Sequence, residues 1–381
     1  MNSNYETGPI RPPSEASSLL LRISRNCTWN KCEFCTVYRG TNYSPRKVDE
    51  IKADIDVMYQ YKLMILKNTN KDGSLNLDKI MNEMYSLENE EQHAYYGVLN
   101  FILKGKSESA FLQDANSVIL KPDKLIDVVE YLKLRFPEIE RITTYGRADT
   151  LSRISAEHYR KLKDAGLNRI HSGYESGSNK VLALINKGCT KEHEIEAGLK
   201  IKDAGIQLSV YYMPGVGGLE YSEDSYRETA DVINKINPDF VRIRTFVASN
   251  NTGMDSKIAE GIITGMSDIE KAYEIKHLIE NVNSCDGMII SDHIINLFDE
   301  LRGNFKSDKA KLLKLFDDFE QLTLNEQRKF QLARRLGKIS RIRDLNLLSN
   351  KAHNDLDILL RKYSAEKDFE DLIKQLVRQY I

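Results

Sequence analysis

A five-residue repeat constrains this chain more than any other feature: Lys163-Asp164-Ala165-Gly166-Leu167 returns 39 residues later as Lys202-Asp203-Ala204-Gly205-Ile206. Each copy closes an amphipathic stretch and opens a β-branched one. A glycine there takes the left-handed conformation that ends a helix without a Cβ penalty, so each copy predicts a helix stop followed by a strand. Extending the rhythm gives six strands, over 18–25, 109–114, 140–146, 168–174, 206–213 and 239–247, with helices around 122–135, 153–165, 190–204 and 222–236. Strands alternating with helices of that length lie parallel and are joined by right-handed crossovers. The expected fold class is α/β, a partial (β/α)6 barrel.

Two stretches break the rhythm. Residues 48–108 read as a helical insertion after the first strand, and beyond about 268 the strand signal gives way to apolar positions at helical spacing. The predicted organisation is a polar N-terminal segment over 1–17, a TIM-type partial barrel over 18–267 and a helical C-terminal subdomain over 268–381. Within that tail, Asp292, His293 and Asn296 read as surface helix caps, with a polar group reaching the barrel mouth as the alternative. Every strand ends in distinctive chemistry: a cysteine cluster, then Gln113-Asp114-Ala115-Asn116, Tyr145-Gly146-Arg147, Gly173-Tyr174-Glu175-Ser176-Gly177, Met213-Pro214-Gly215 and Thr245-Phe246-Val247. Parallel barrels build their active sites at the C-terminal strand ends, so one shared pocket is the economical reading.

The first exit carries the strongest signal. Cys27, Cys32 and Cys35 form a Cys-x4-Cys-x2-Cys set, and only Cys189 and Cys285 lie outside it. Five cysteines in 381 residues are too few for a disulfide scaffold, and the two spare ones too few for a second all-cysteine cluster. Three thiolates on one loop can hold three irons of a cubane and leave the fourth open to an outside ligand. The nearest histidine is His93, so a closed tetrahedral zinc site would have to recruit a distant fourth ligand. Zinc and inert buried thiols are the alternatives at this point.

Composition limits the partners. The net charge is −1, which supplies no global field towards nucleic acid or anionic lipid. No segment approaches the roughly 18 apolar residues that span a bilayer, and the polar N-terminus lacks the apolar core of a signal peptide. The expected location is cytoplasmic, without membrane contact and with nucleic acid disfavoured. The stretch ahead of the first strand, roughly 17 residues long, is also too short for a cobalamin-binding domain.

The cysteine loop after strand one, with Phe34 immediately before the last cysteine, resembles the cluster loop of the radical S-adenosylmethionine (SAM) superfamily, which more often spaces its cysteines Cys-x3-Cys-x2-Cys. Glu175-Ser176-Gly177-Ser178, followed by Val181-Leu182 and Asn186-Lys187-Gly188, is similar to its elongator-like and anaerobic coproporphyrinogen-oxidase-like branch. The resemblance implies a 4Fe-4S cluster on Cys27, Cys32 and Cys35, SAM chelated to the open iron, and an external low-potential electron donor of flavodoxin or ferredoxin type. It also implies that Phe34 lies near the adenine and that the exit of strand two faces the methionine amino group. That exit carries Gln113 and Asp114 where the family has a Gly-Gly-Glu type motif.

Further candidates follow from position. Glu175, between two glycines at a strand exit, can accept hydrogen bonds from a ribose diol or an ammonium. Arg147 and Arg244, the latter beside Arg242, offer guanidinium forks for a carboxylate, and Val247 stands at the last exit. His171 shares a strand face with Glu175 and is a candidate catalytic proton donor, with a satisfied core histidine as the alternative. Tyr212, among the tyrosines near the exits, is the second catalytic candidate. The Gly215–Gly218 run would let backbone approach a ligand, but it lacks the spacing and the lysine of a phosphate loop. The leading expectation is an enzyme that abstracts hydrogen from a small organic substrate; RNA modification and a non-catalytic metal module are the competing classes.

Overall fold

The computed structural model describes residues 4–249 and 252–380, so residues 1–3 of the polar N-terminal segment and the last residue of the C-terminal one lie outside the described residues. The strands are β1 (Leu19–Arg22), β2 (Ser24–Arg25), β3 (Ser44–Pro45), β4 (Ser109–Gln113), β5 (Arg141–Tyr145), β6 (Leu167–Glu175), β7 (Gln207–Tyr212), β8 (Phe240–Ile243), β9 (Met288–Ile290) and β10 (Arg302–Asn304). The helices of the first half are α1 (Val48–Lys67), α2 (Leu77–Tyr85), α3 (Asn89–Leu103), α4 (Pro122–Arg135), α5 (Ala148–Ser152), α6 (Ala156–Ala165), α7 (Asn179–Leu184) and α8 (Lys191–Asp203). Then come α9 (Ser222–Ile236), α10 (Gly253–Ala259), α11 (Asp268–Asn281), α12 (Lys309–Glu320), α13 (Leu324–Arg335), α14 (Asn350–Lys362) and α15 (Glu366–Arg378).

Eight strands form one open sheet in the order β1-β4-β5-β6-β7-β8-β9-β10. The pairs β1/β4, β4/β5, β5/β6, β7/β8 and β8/β9 are parallel, and β10 runs antiparallel against β9. The α/β class and the six expected strands are therefore present, as is the helical excursion α1–α3 after the first strand. The sheet does not stop at β8, however: β9 and β10 extend it inside the stretch read as purely helical. Each has three residues, too few for a period-two alternation to emerge from the sequence.

The chain divides into two compact units, one built from residues up to Asn30 with Val37–Ser172 and Leu199–Leu208, the other from Lys31–Thr36, Gly173–Gly198 and the chain from Ser209 onward. In the first, α1 buries Ile51, Ile55, Met58 and Ile65 along one stripe and packs on α3 and α4. Ser155 caps α6 by accepting the His158 N–H, and Gly166 ends it at φ +117°; Gly205 likewise ends α8 at φ +71°. Both repeat glycines thus do what the sequence predicts. In the second unit, α9 and α11 pack together, and Phe298 gathers Phe316, Phe319 and Phe330 at centroid distances of 5.2–5.9 Å. Each such buried ring contributes about 1.5–3 kcal/mol.

Candidate active site

Charge fastens the loop that carries Cys27 in the first unit. Arg22, at the end of β1, pairs with Asp114 at 2.8 Å and Glu6 at 2.9 Å, and the fully buried Asp114 also accepts the Asn26 N–H at 3.1 Å. Asp114 has φ +96°, a left-handed backbone that costs about 1–3 kcal/mol where a Cβ is present and is tolerated best by Asp and Asn. Asn26 at φ +68° and Asn30 at φ +52° bracket Cys27 in the same way. Asn30 lies inside the four-residue spacer, and its N–H points at the Cys27 sulfur at 3.5 Å. The longer spacing is taken up by a left-handed kink whose amide faces a thiol, the kind of hydrogen bond that favours a thiolate ligand. Buried Asn116 then joins Thr28 to Thr150 at 3.1 and 2.9 Å and accepts the Arg147 N–H at 3.0 Å.

Backbone bonds hold Cys32 and Cys35 in the second unit. Glu33 donates to the Ile185 carbonyl at the end of α7, and its own carbonyl accepts the Met254 N–H from α10. Phe34 packs against the buried cluster of Val181, Ile185, Met213 and Phe246, with the Lys187 ammonium 5.5 Å from its ring centre. Lys187 also donates to Glu175 at 2.8 Å, both side chains being nearly buried. This pair lies over Gly173, where a Cβ would stand 2.3 Å from the Glu175 carboxylate and displace the end of that side chain. Glu175 itself has φ +65°. Left-handed backbone in a non-glycine residue persists where surrounding structure holds it, and such positions cluster at functional sites.

Behind the pair sits Glu194, wholly buried, with no hydrogen-bond partner on either carboxylate oxygen. Burial holds its carboxyl well above the usual carboxylate range; Lys187 opposes this and Glu175 adds to it.

No disulfide joins any of the five cysteines among the described residues. Among the described residues no three His, Cys, Asp or Glu side chains are disposed to hold a single metal ion; a cubane gives each thiolate its own iron, so its ligands need not crowd around one centre. The family model described as the radical SAM superfamily matches residues 21–233, more than half of the chain. The chain belongs to the radical SAM superfamily. Radical SAM enzymes use a 4Fe-4S cluster and SAM.

Two tRNA-2-methylthio-N(6)-dimethylallyladenosine synthases are similar to parts of it. That of Syntrophus aciditrophicus is 27% identical over 32% of this chain and 27% of its own length, and that of Moorella thermoacetica 26% identical over 49% and 40%. The chain spans about a quarter of the length of the first curated relatives it matches. Among solved structures, Elp3 of Methanocaldococcus infernus aligns at a TM-score of 0.44 and 16% identity, covering 64% of this chain and 61% of that one. Coproporphyrinogen III oxidase of Escherichia coli aligns at 0.43 and 14%, covering 65% and 48%.

Within the second unit, two thiols, an aromatic ring and a carboxylate–ammonium pair are groups whose chemistry suits a cluster and a zwitterionic nucleoside. Several expected contacts fall elsewhere. The Gln113 amide accepts the Gly8 N–H and donates to the Gly8 and Ile10 carbonyls, so it anchors the N-terminal segment, and Asp114 is occupied by Arg22 and Asn26. His171 is fully buried, 3.9 Å from Glu15 and edge-on to Phe111, which makes it a core histidine rather than a proton donor to substrate. The Tyr212 hydroxyl donates to Glu274 at 2.5 Å and lies 3.4 Å from Ser225, placing it in a network with α9 and α11 instead of in chemistry.

Arg147 pairs with Asp149 at 3.1 Å and lies 5.6 Å over the Trp29 ring. Arg244 is exposed and Val247 half-buried beyond β8. The close approach at Gly215 and Gly218 serves the protein's own Lys271 side chain and Thr264 carbonyl. Asn296, read as a surface cap, is buried and binds the Thr245 N–H and the Ile243 carbonyl, fixing the exit of β8.

Proposed function

We propose that the chain holds a 4Fe-4S cluster through Cys27, Cys32 and Cys35 and uses it to cleave SAM reductively, so that hydrogen is abstracted from a small organic substrate. The observation that carries this reading is the three-thiol loop at the first strand exit, with a left-handed kink and an N–H directed at Cys27. The bound cofactors supply an electron and a 5′-deoxyadenosyl radical; the chain's own residues bind and orient. Phe34 offers a face to the adenine, Glu175 accepts from the ribose diol or the amino group, and Lys187 sets the Glu175 rotamer. Arg147, Arg244 and Val247 are the remaining candidates for SAM or substrate contact. No helix among the described residues is long and apolar enough to cross a membrane.

The test is anaerobic reconstitution with iron, sulfide and a reductant. Wild-type protein is expected to convert SAM to methionine and 5′-deoxyadenosine, with Cys27→Ala, Cys32→Ala and Cys35→Ala each below a hundredth of that rate; turnover surviving in these variants would overturn the reading. RNA modification is a second reading, favoured by the names of the matched curated relatives. Transfer RNA that suppresses uncoupled 5′-deoxyadenosine release and acquires label from SAM would establish it over the small-molecule substrate.

A further inference from the structure

A groove in the first unit, with a volume of about 590 Å³, has Thr28 and Trp29 in its wall. These are the two residues that follow Cys27, so at about 3.5 Å per residue the wall stands within roughly 7 Å of chain from that ligand. Trp29 is the chain's single tryptophan and is half-buried. Val118 and Ile154 are buried in the groove, while Lys121 and Arg153 are exposed along it. Neither of these two cations pairs with a carboxylate among the described residues. The lining carboxylate, Asp149, is already bonded to Arg147, and Asp123, on the first turn of α4, faces His158 at 3.7 Å.

We propose that this groove is the docking surface for an acidic one-electron carrier protein that reduces the cluster. The inference rests on the radical SAM reading above. One electron leaves the reduced carrier, which is oxidised by one electron, and enters the cluster, which is reduced by one; no atom or proton changes place. A chain of net charge −1 offers an acidic partner no long-range attraction, so capture falls to a local cationic rim. Redox pairs form brief encounters with small interfaces, under about 1,200 Å² in total. A shallow groove with two unpaired cations and one aromatic contact beside a cluster ligand meets that need. Nucleic acid needs cations repeated along a phosphate track, and two on a single groove give one local contact.

The experiment uses reconstituted holoenzyme and reduced flavodoxin as the probe, comparing wild type with the double variant Lys121→Glu/Arg153→Glu. Expected results are a tenfold or greater fall in flavodoxin affinity and in the rate of cluster bleaching by flavodoxin at low salt, with a flattened salt dependence. Iron content and reduction by dithionite should stay at wild-type levels, since both residues are exposed. The milder Lys121→Gln/Arg153→Gln pair should fall between the two. Unchanged flavodoxin binding and reduction in the charge-reversed protein would overturn the proposal, as would a variant that loses transfer-RNA binding while keeping flavodoxin. Wild-type protein that dithionite cannot drive to 5′-deoxyadenosine would instead defeat the enzymatic reading, so the two failures are distinguishable.

Discussion

Glu194 poses the sharpest problem at the scale of single residues: a carboxyl with no exposure and no hydrogen-bond partner, close enough to Lys187 and Glu175 to feel both charges. A buried carboxylate of this kind is tolerated as the neutral acid. Its folded pKa therefore exceeds the value of about 4.3 in the unfolded chain. Below that value both states hold the proton and the contribution to stability is complete; as pH rises the unfolded chain releases it first, and stability declines through the raised folded pKa. We predict that the thermal midpoint of the wild type falls as pH rises above about 4.3, where the unfolded carboxyl begins to ionise, and that Glu194→Gln removes much of this slope. A slope unchanged in the variant would mean that another group titrates. The sequence did not mark Glu194, because Lys191-Glu192-His193-Glu194 reads as a solvated helix start. Glu175 was legible, since a carboxylate between Gly173 and Gly177 at a strand exit is chemically distinctive, and the structure explains Gly173 as room for the Glu175–Lys187 pair.

At the scale of elements, the loop after β2 is shaped less by its own sequence than by the exit of β4. Asp114 binds Arg22 and the Asn26 N–H, with a side-chain exposure of 13% for Arg22 and 0% for itself. Removing Asp114 leaves Arg22 with Glu6 as its remaining acid and strips the Asn26 N–H of its acceptor, so Asp114→Ala should cost about 1–3 kcal/mol in urea unfolding and lower the iron bound per chain after reconstitution. Asp114→Asn keeps an acceptor for Asn26 and should retain more iron than the alanine variant; equal retention by both would show that the loop is held elsewhere. The left-handed Asn30, inside the spacer between Cys27 and Cys32, is the kind of turn that an asparagine accommodates best. What the sequence could not reveal is that Gln113 and Asp114 face the protein: their partners Gly8, Ile10 and Arg22 lie about 90–100 positions away. A short polar exit looks the same whether it meets a ligand or its own chain. His171 and Tyr212 lie against Glu15 and Glu274, neighbours that strand alternation does not disclose because it gives a face without saying what packs on it.

At the scale of the whole molecule, the alternation of helices and strands through β8 was readable because two copies of one repeat set its phase, and helices of ten or more residues carry enough periodicity to be counted. The remainder failed on length. β9 and β10 are short, yet β9 pairs in register with β8 through Phe240–Met288, Val241–Ile289 and Arg242–Ile290. Asn296 then secures the exit of β8, and Arg242 reaches Asp292. The tail is thus integral to the sheet, and the boundary expected near 267 cuts through paired backbone. A chain ending at residue 267 would leave β8 as an unprotected edge, with the inward-facing Val241 and Ile243 deprived of neighbours and a row of open N–H and C=O groups. It would also lose the phenylalanine cluster around Phe298, several rings at about 1.5–3 kcal/mol each, a sum comparable to the net stability of an ordinary domain. We therefore predict that this shortened chain is insoluble or melts without cooperativity, as followed by circular dichroism and gel filtration. A soluble, cooperatively unfolding protein of residues 1–267 would instead make the first six strands self-sufficient and the tail an appended domain.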